Sequence, residues 1–594
     1  MSKVDIQKVD KRKVQIIIGV LLIAIVNLWN LQSLHSITIV DDEFGYVGMA
    51  AQMAGYDWTT LLKTASFYSY GYGILLSLLF RAGLTSAALF RAAVVLNVVF
   101  LILSFLIVCY LADKIIHNKH DILLALAITL YSCNIFQAKL SWSETILYFL
   151  TWLMVLLFYQ LSVRFQFRYL VAVIVISVYM YTVHQRCLAI IVATVIMIGI
   201  ILLNGHFNKK NVCKAAAAML ILLFLLILAG ELKDWIITNW YQADSVLERR
   251  IAVNDYGGQV TKLKRLLEPK VFIGMLLGMA GKLWAQSVAS GMLILLALVV
   301  SIWKVIKKRI FHLESEDIFA VTAALMFLGA LGVATLYKLN NPGNYIYYTV
   351  IMTRYIDYVT GPMLLLGFQI IFDYKEHIKE IIMSIAIMLI ITMSTYYTFT
   401  KASRTLMVNV NIVSVYPMIG DLSGGLQRVI LAGIGTIIFI VIVLGIIKLG
   451  VSKNKENFMI FMVLFGILLM WSYNGLKASA GYTNHKQEEV REYTLPVVDY
   501  IENSGYEKML YYVTDMEGLE TGSYNFLKIL QFLLPERKIE LIADSEIEKV
   551  SKNGSIIILT NSEYYQEYDL SGIEDGFVMD TGRLRVYRKS GPVL

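Results

Sequence analysis

The sequence predicts a polytopic α-helical membrane protein with a small α/β domain at its C-terminal end. Three observations carry this expectation. Of the 594 residues, 58% are hydrophobic and only 16% are charged, whereas a soluble domain carries about a quarter charged residues. The lysines and arginines, which leave a net charge of +8, fall in short clusters between long apolar runs. That distribution orients spans in a membrane and does not argue for nucleic acid. From Lys477 onward the apolar runs give way to short alternating strand-like and helix-like segments.

A spanning helix needs roughly 20 apolar residues, and the chain offers about 13 candidate spans on that criterion. The first is Val14–Leu34, preceded by Lys3, Lys8, Lys11, Arg12 and Lys13. No small-residue cleavage site follows it, so it reads as an uncleaved helix with its basic end inside. The chain then emerges outside. Val47–Leu62 predicts an amphipathic surface helix. Phe67–Gly73 is a run of aromatics with glycine breaks, and Ile74–Phe80, too short to span, predicts an interfacial segment. The remaining spans are Ala87–Ala112, Ile122–Phe136, Trp142–Leu161, Tyr169–Val183, Cys187–Leu203 and Ala215–Gly230, then Val288–Val305, Ile318–Tyr337, Tyr358–Phe372, Ile381–Thr400, Val429–Leu449 and Phe458–Asn474. A long outer loop, Glu231–Gly281, separates the two groups. Each inner turn carries at least two Lys or Arg, and an odd number of spans places the C-terminal region outside.

Two domains follow: a transmembrane module over 1–475 and an extracytoplasmic α/β domain over 476–594. In the second, Glu488–Asn503, Ser523–Leu534 and Ser545–Lys552 predict helices. Met509–Thr514, Ile539–Ile542 and Ser555–Thr560 predict strands of a short parallel sheet, and Phe577–Met579 with Leu584–Tyr587 predict a hairpin. The domain has no phosphate-loop or dinucleotide glycine fingerprint, which points to recognition or stabilisation. The four cysteines, Cys109, Cys133, Cys187 and Cys213, form no CxxC pair and all precede this domain, so no disulfide framework or zinc site is expected.

The chemistry-bearing stretch is Asp41-Asp42-Glu43-Phe44-Gly45-Tyr46, just after the first span. Three adjacent carboxylates at a membrane surface are costly unless they bind a cation or take protons; an acidic solvated turn is the plainer alternative. Glu144 stands at a span boundary in Ser141-Trp142-Ser143-Glu144, as a site acid or as a helix-start acid capped by Ser141 or Ser143. His184 and Arg186 end the fifth span, at the depth of a lipid phosphate or as interfacial anchors. Arg354 and Tyr355 precede the tenth, where Arg354 binds phosphate or pairs with Asp357 on one helix face.

The Asp42-Glu43-x-x-Tyr46 pattern, placed after a first span and before an aromatic-rich outer segment, resembles the C-type glycosyltransferases, polytopic enzymes that use polyprenyl-phosphate-linked sugars. Within them it is most similar to the protein O-mannosyltransferase and lipid A aminoarabinose transferase branch. The resemblance implies a membrane hexosyl- or pentosyltransferase of the inverting type, with the active site and C-terminal domain extracytoplasmic and the bacterial plasma membrane as location. It implies a polyprenyl-phosphate-linked sugar as donor and a cell-envelope glycan, lipid or protein as acceptor. Asp42 becomes the candidate general base, with Asp41 and Glu43 beside it; a divalent metal held by Asp42 and Glu43 is one option the acids leave open. Glu144, His184, Arg186, Arg354, Tyr355, Tyr46 and Tyr70 become candidate substrate and phosphate ligands. The sequence departs from the aminoarabinose branch at its Glu-Lys-Pro-Pro stretch, where it reads Ala65–Gly71 with Lys63 as the only nearby basic residue. That branch's metal site and lipid A acceptor are therefore not carried over. The alternative class is a transporter or flippase of lipid-linked saccharides, which would show paired broken helices and charges near mid-membrane; a catalytically inactive sensor or assembly scaffold is a third.

Overall fold

The computed structural model describes residues 3–63, 65–116, 118–241, 263–308, 312–337, 339, 345–403, 409–420, 422, 425–503, 509–513, 524–542, 556–560 and 576–588. Among these, ten helices are long and apolar enough to cross a membrane, and three shorter apolar helices accompany them.

The first helix, α1 (Lys3–Leu28), turns a row of apolar side chains outward: Ile17, Leu21 and Ile25 are each more than half exposed. In water that face would be a liability; in lipid it is the expected surface. Helices α2 (Val40–Ala54), α3 (Thr59–Leu62) and α4 (Gly71–Arg81) follow. The acids Asp41, Asp42 and Glu43 thus lie inside the first turn of α2 and not in a turn before a surface helix. The helix dipole favours carboxylates at this position.

The bundle continues with α5 (Ser86–Ile115), α6 (Asp121–Thr129), α7 (Ser132–Gln137), α8 (Glu144–Val163), α9 (Phe167–Val183), α10 (Leu188–Leu203) and α11 (Lys209–Trp240). The third expected span is therefore two helices. Tyr131 adopts an extended conformation between them, and Asn134 Nδ2 donates to the carbonyls of Ile128 and Thr129 at the break. Broken backbone at this depth is tolerated because it is buried in protein.

Beyond lie α12 (Pro269–Ala289), α13 (Leu293–Lys308), α14 (Ser315–Tyr337), the single turn α15 (Arg354–Asp357), α16 (Thr360–Phe372), α17 (Ile378–Thr400) and α18 (Gln427–Ser452). The helix α12 fills part of the expected outer loop, and Val288–Val305 is not one span. Gly291 and Met292, at φ 62 and φ 75, break it. A Cβ on Gly291 would lie 2.6 Å from the Phe439 ring, so this residue has neither the space nor the backbone for a side chain.

The last expected span and the first expected C-terminal helix are one rod, α19 (Glu456–Asn503). Polarity changes at Lys477, but a helix satisfies its backbone hydrogen bonds within itself and so can continue from an apolar into a polar medium. Two wide turns, Ala480–Asn484 and Val490–Thr494, interrupt its regularity, the second just before Pro496, which cannot donate.

The C-terminal region comprises β1 (Met509–Val513), α20 (Tyr524–Leu533), β2 (Lys538–Ile542), β3 (Ile556–Thr560), β4 (Phe577–Asp580) and β5 (Leu584–Arg588). The sheet order is β2-β1-β3-β5-β4. The first three strands are parallel, as expected, and the hairpin joins antiparallel, so the sheet is mixed. The expected helix Ser545–Lys552 lies outside the described residues. This region docks on the start of α3 and the start of α5: Trp58 Nε1 donates to the Pro535 carbonyl at 3.0 Å and Ser86 Oγ to the Leu533 carbonyl at 2.9 Å.

Candidate active site

Four consecutive residues at the start of α8 organise the site. Ser141 donates from its backbone N–H at 2.6 Å and its hydroxyl at 2.9 Å to Glu43 Oε1. Trp142 lies under Arg354, whose guanidinium carbon is 3.8 Å from the ring centroid. Ser143 shares a 2.8 Å hydrogen bond with the Tyr46 hydroxyl. Glu144 Oε1 accepts from Arg186 Nη2 and Arg354 Nε, both at 3.1 Å. Neither serine hydroxyl caps α8, so the capping expectation fails: each hydroxyl is used across the bundle.

The acids of α2 have three different environments. Asp41 is mostly exposed and pairs with Lys528 of α20, itself buried. Asp42 accepts from the Tyr68 hydroxyl and pairs with Arg354 Nη1, while keeping its side chain 19% exposed. Glu43 is fully buried: Oε2 accepts from the backbone of Thr38 at 2.6 Å and of Ile39 at 2.7 Å, and Oε1 from Ser141. Glu43 therefore staples the entry of α2 to the entry of α8. A solvated acidic turn, the plainer alternative, does not describe this arrangement.

Tyr68 reaches Asp42 because α2 carries Gly45, where a Cβ would lie 2.6 Å from the Ser66 carbonyl and 2.7 Å from the Tyr68 ring. The next residue, Ser69, has φ 122, a strained value for a residue with a side chain, costing about 1–3 kcal/mol. The turn sends Tyr70 elsewhere: its hydroxyl donates to the Ala229 carbonyl of α11 at 3.1 Å, within a satellite core of Met49, Leu62, Phe67 and Tyr241. Tyr70 thus packs against α11, apart from the acids.

Arg354 does not pair with Asp357. It bridges Asp42 and Glu144, while Asp357 accepts from Gln286 at 2.7 Å and Gln137 at 3.4 Å. Arg186 is buried, with its guanidinium over the rings of Tyr355 at 4.9 Å and Tyr358 at 5.3 Å. Its Nε and Nη1, and Glu144 Oε2, are buried with no hydrogen-bond partner among the described residues. His184 Nδ1 accepts from the Arg186 backbone at 3.3 Å, and its ring lies between Tyr68 and Tyr355. Asp42, Tyr68, Arg354, Glu144, Arg186, His184 and Tyr355 thus form one chain of contacts.

Sequence reasoning passed over Trp142, Ser143, Tyr358 and Lys528 as site-builders. Trp142 and Ser143 adjoin Glu144 and were findable as neighbours. Lys528 had no local signal.

The residues do not suit a divalent metal. Among the described residues, no three His, Cys, Asp or Glu side chains form a metal-holding group. Both Glu43 oxygens are taken by protein donors, and an arginine cation stands against Asp42.

Burial, with the nearby Arg186 and Arg354 charges, holds His184 well below its ordinary value of 6.5. The folded protein keeps this imidazole neutral where an unfolded chain would protonate it. His184 therefore withdraws stability as pH falls below about 6.5 and has no effect above it. In a pH series of thermal denaturation in detergent, His184→Gln should lose less stability between pH 7 and 5 than wild type. An identical slope would remove His184 from this account.

No family model and no curated protein matches the sequence. Solved structures do match the fold. The apo ArnT from Cupriavidus metallidurans is similar over 98% of this chain and 100% of its own, at TM-score 0.51 and 13% identity. The same protein bound to undecaprenyl phosphate is similar over 97% and 99%, at TM-score 0.50 and 12% identity. The chain therefore has an ArnT-like fold, the fold that the resemblance implied. An Archaeoglobus fulgidus oligosaccharyltransferase tethered to an acceptor peptide covers 89% of this chain and 63% of its own, at 12% identity and TM-score 0.41.

Proposed function

We propose that this chain is an integral-membrane glycosyltransferase that moves a sugar from a polyprenyl-phosphate carrier to an extracytoplasmic hydroxyl acceptor, with Asp42 as general base. The observation that carries the reading is the buried line Asp42–Arg354–Glu144–Arg186. It puts a partly exposed carboxylate at one end and an arginine with two buried nitrogens, Nε and Nη1, that have no hydrogen-bond partner among the described residues at the other.

The reaction divides along that line. The acceptor oxygen attacks the anomeric carbon and its proton passes to the Asp42 carboxylate, whose side chain stays 19% exposed. The bond from the anomeric carbon to the phosphate oxygen breaks, and polyprenyl phosphate leaves with the electron pair. Arg186 and Arg354 offer N–H donors to that developing charge. One direct displacement inverts the anomeric carbon. Glu144 positions both arginines, Glu43 positions α2, and Asp41 docks it to α20 through Lys528; these are positioning roles. Tyr355 forms the aromatic bed for the arginines, and Tyr46 ties α2 to α8. The fold shared with the undecaprenyl-phosphate-bound ArnT supports a carrier of this kind. In this reading the acids and the C-terminal domain face the extracytoplasmic side.

The reading is tested with full-length protein in detergent, a short-chain prenyl-phosphate sugar and, in parallel, nucleotide sugars. Transfer is expected from the prenyl-phosphate donor only. Arg186→Ala should weaken it by about 10- to 100-fold, the scale of one or two charge-assisted contacts, and Arg186→Lys less. Transfer from a nucleotide sugar alone, or full activity of Arg186→Ala and Arg354→Ala, would end the proposal. The broken helices α6/α7 and α12/α13 are a feature that a transporter of lipid-linked saccharides would share. Flux across proteoliposomes without transfer would favour that reading.

A further inference from the structure

Asp42 also lines a cavity of about 680 Å³ that runs between α2, the outer part of α19 and the C-terminal region. Its volume suits a small ligand or the end of a larger one. Asp42 stands at the α2 wall, Tyr482, Lys486 and Tyr493 come from α19, and Asn525 and Arg583 come from the C-terminal region.

The charges of this cavity are mostly settled within the protein. Asp41 is paired with Lys528, Asp42 with Arg354, and Lys486 with Glu489 at 2.7 Å. Arg583 is exposed, with its guanidinium carbon 5.7 Å from the Tyr493 ring centroid. It is the one cation of the cavity that no carboxylate among the described residues pairs with. Two tyrosines with a polar amide between charged groups suit a saccharide, whose C–H faces stack on rings while its hydroxyls seek polar partners. An unneutralised arginine next to a ring adds a preference for an anionic substituent.

We infer that this cavity is the acceptor site, and that it takes a saccharide carrying an anionic group. The sugar ring lies against Tyr482 and Tyr493, its anion meets Arg583, and its hydroxyl is directed to Asp42. The inference rests on the glycosyltransferase reading above. It gives the C-terminal region a role in acceptor choice.

The test reads binding, so that it is separable from turnover. Full-length protein in lipid nanodiscs is titrated with tetragalacturonate, with neutral maltotetraose and with a serine- and threonine-rich peptide. Wild type should bind tetragalacturonate more tightly than maltotetraose, and Arg583→Ala should reduce that preference by about tenfold, with Arg583→Lys retaining part of it. Tyr493→Ala should weaken both saccharides. Equal binding of the charged and neutral saccharides, an unchanged preference in Arg583→Ala, or preferred binding of the peptide would each overturn the inference. Absence of sugar transfer in a protein that keeps the Arg583-dependent preference would count against the enzymatic reading, and not against a site for anionic saccharide.

Discussion

Asp42→Asn eliminates glycosyl transfer while the protein stays folded: this is the first expected result. Loss of a general base costs about 10²- to 10⁴-fold in rate, and an amide cannot take the acceptor's proton. The substitution is nearly isosteric. The amide that replaces the carboxylate still offers an oxygen to the Tyr68 hydroxyl, and Arg354 keeps its bond to Glu144 and its seat on Trp142. The lost ion pair is partly exposed on the Asp42 side, so the stability cost should stay near 1–2 kcal/mol, below that of a fully buried pair. The check is transfer activity beside thermal denaturation in the same detergent. Activity within a few-fold of wild type would remove Asp42 from catalysis. Activity lost together with a collapse of stability would assign Asp42 to the scaffold.

Glu144→Ala should produce a large loss of stability. One carboxylate oxygen accepts from two buried arginines, and both the acid and Arg186 have at most 2% of their side chains exposed. Removing the acid leaves two buried cations with only Asp42 between them. Breaking a buried ion pair by deleting one partner costs about 3–5 kcal/mol. Glu144→Gln should cost less, because the amide oxygen still accepts while the charge is lost. The measurement is the denaturation midpoint of each variant against wild type. A Glu144→Ala protein within about 1 kcal/mol of wild type would mean that Arg186 and Arg354 find other acceptors, and the proposed line of charge would fall.

Several features were legible from sequence because their signals are local. A span is a run of roughly 20 apolar residues, and most expected spans recur as helices within a few residues. The strands of the C-terminal sheet follow short β-branched and aromatic runs, and Asp580-Thr581-Gly582 marks its hairpin. The breaks at Tyr131 and at Gly291-Met292 were not legible. Nothing in the hydropathy of Ile122–Phe136 or Val288–Val305 shows that Asn134 would close one break or that Phe439 would crowd the other.

The sequence alone determined a membrane bundle, a C-terminal sheet and three acids at the exit of the first helix, since each depends only on composition and short-range order. Which acid does what was decided by the tertiary structure. Successive residues on a helix point about 100° apart, so Asp41, Asp42 and Glu43 face three different neighbours. Asp41 meets Lys528, Asp42 meets Tyr68 and Arg354, and Glu43 meets Thr38, Ile39 and Ser141. Lys528, Arg354 and Ser141 lie 487, 312 and 98 residues away along the chain. Separations of that size leave no periodicity in the sequence, so the division into an exposed docking acid, a candidate base and a buried staple arises only when the bundle closes.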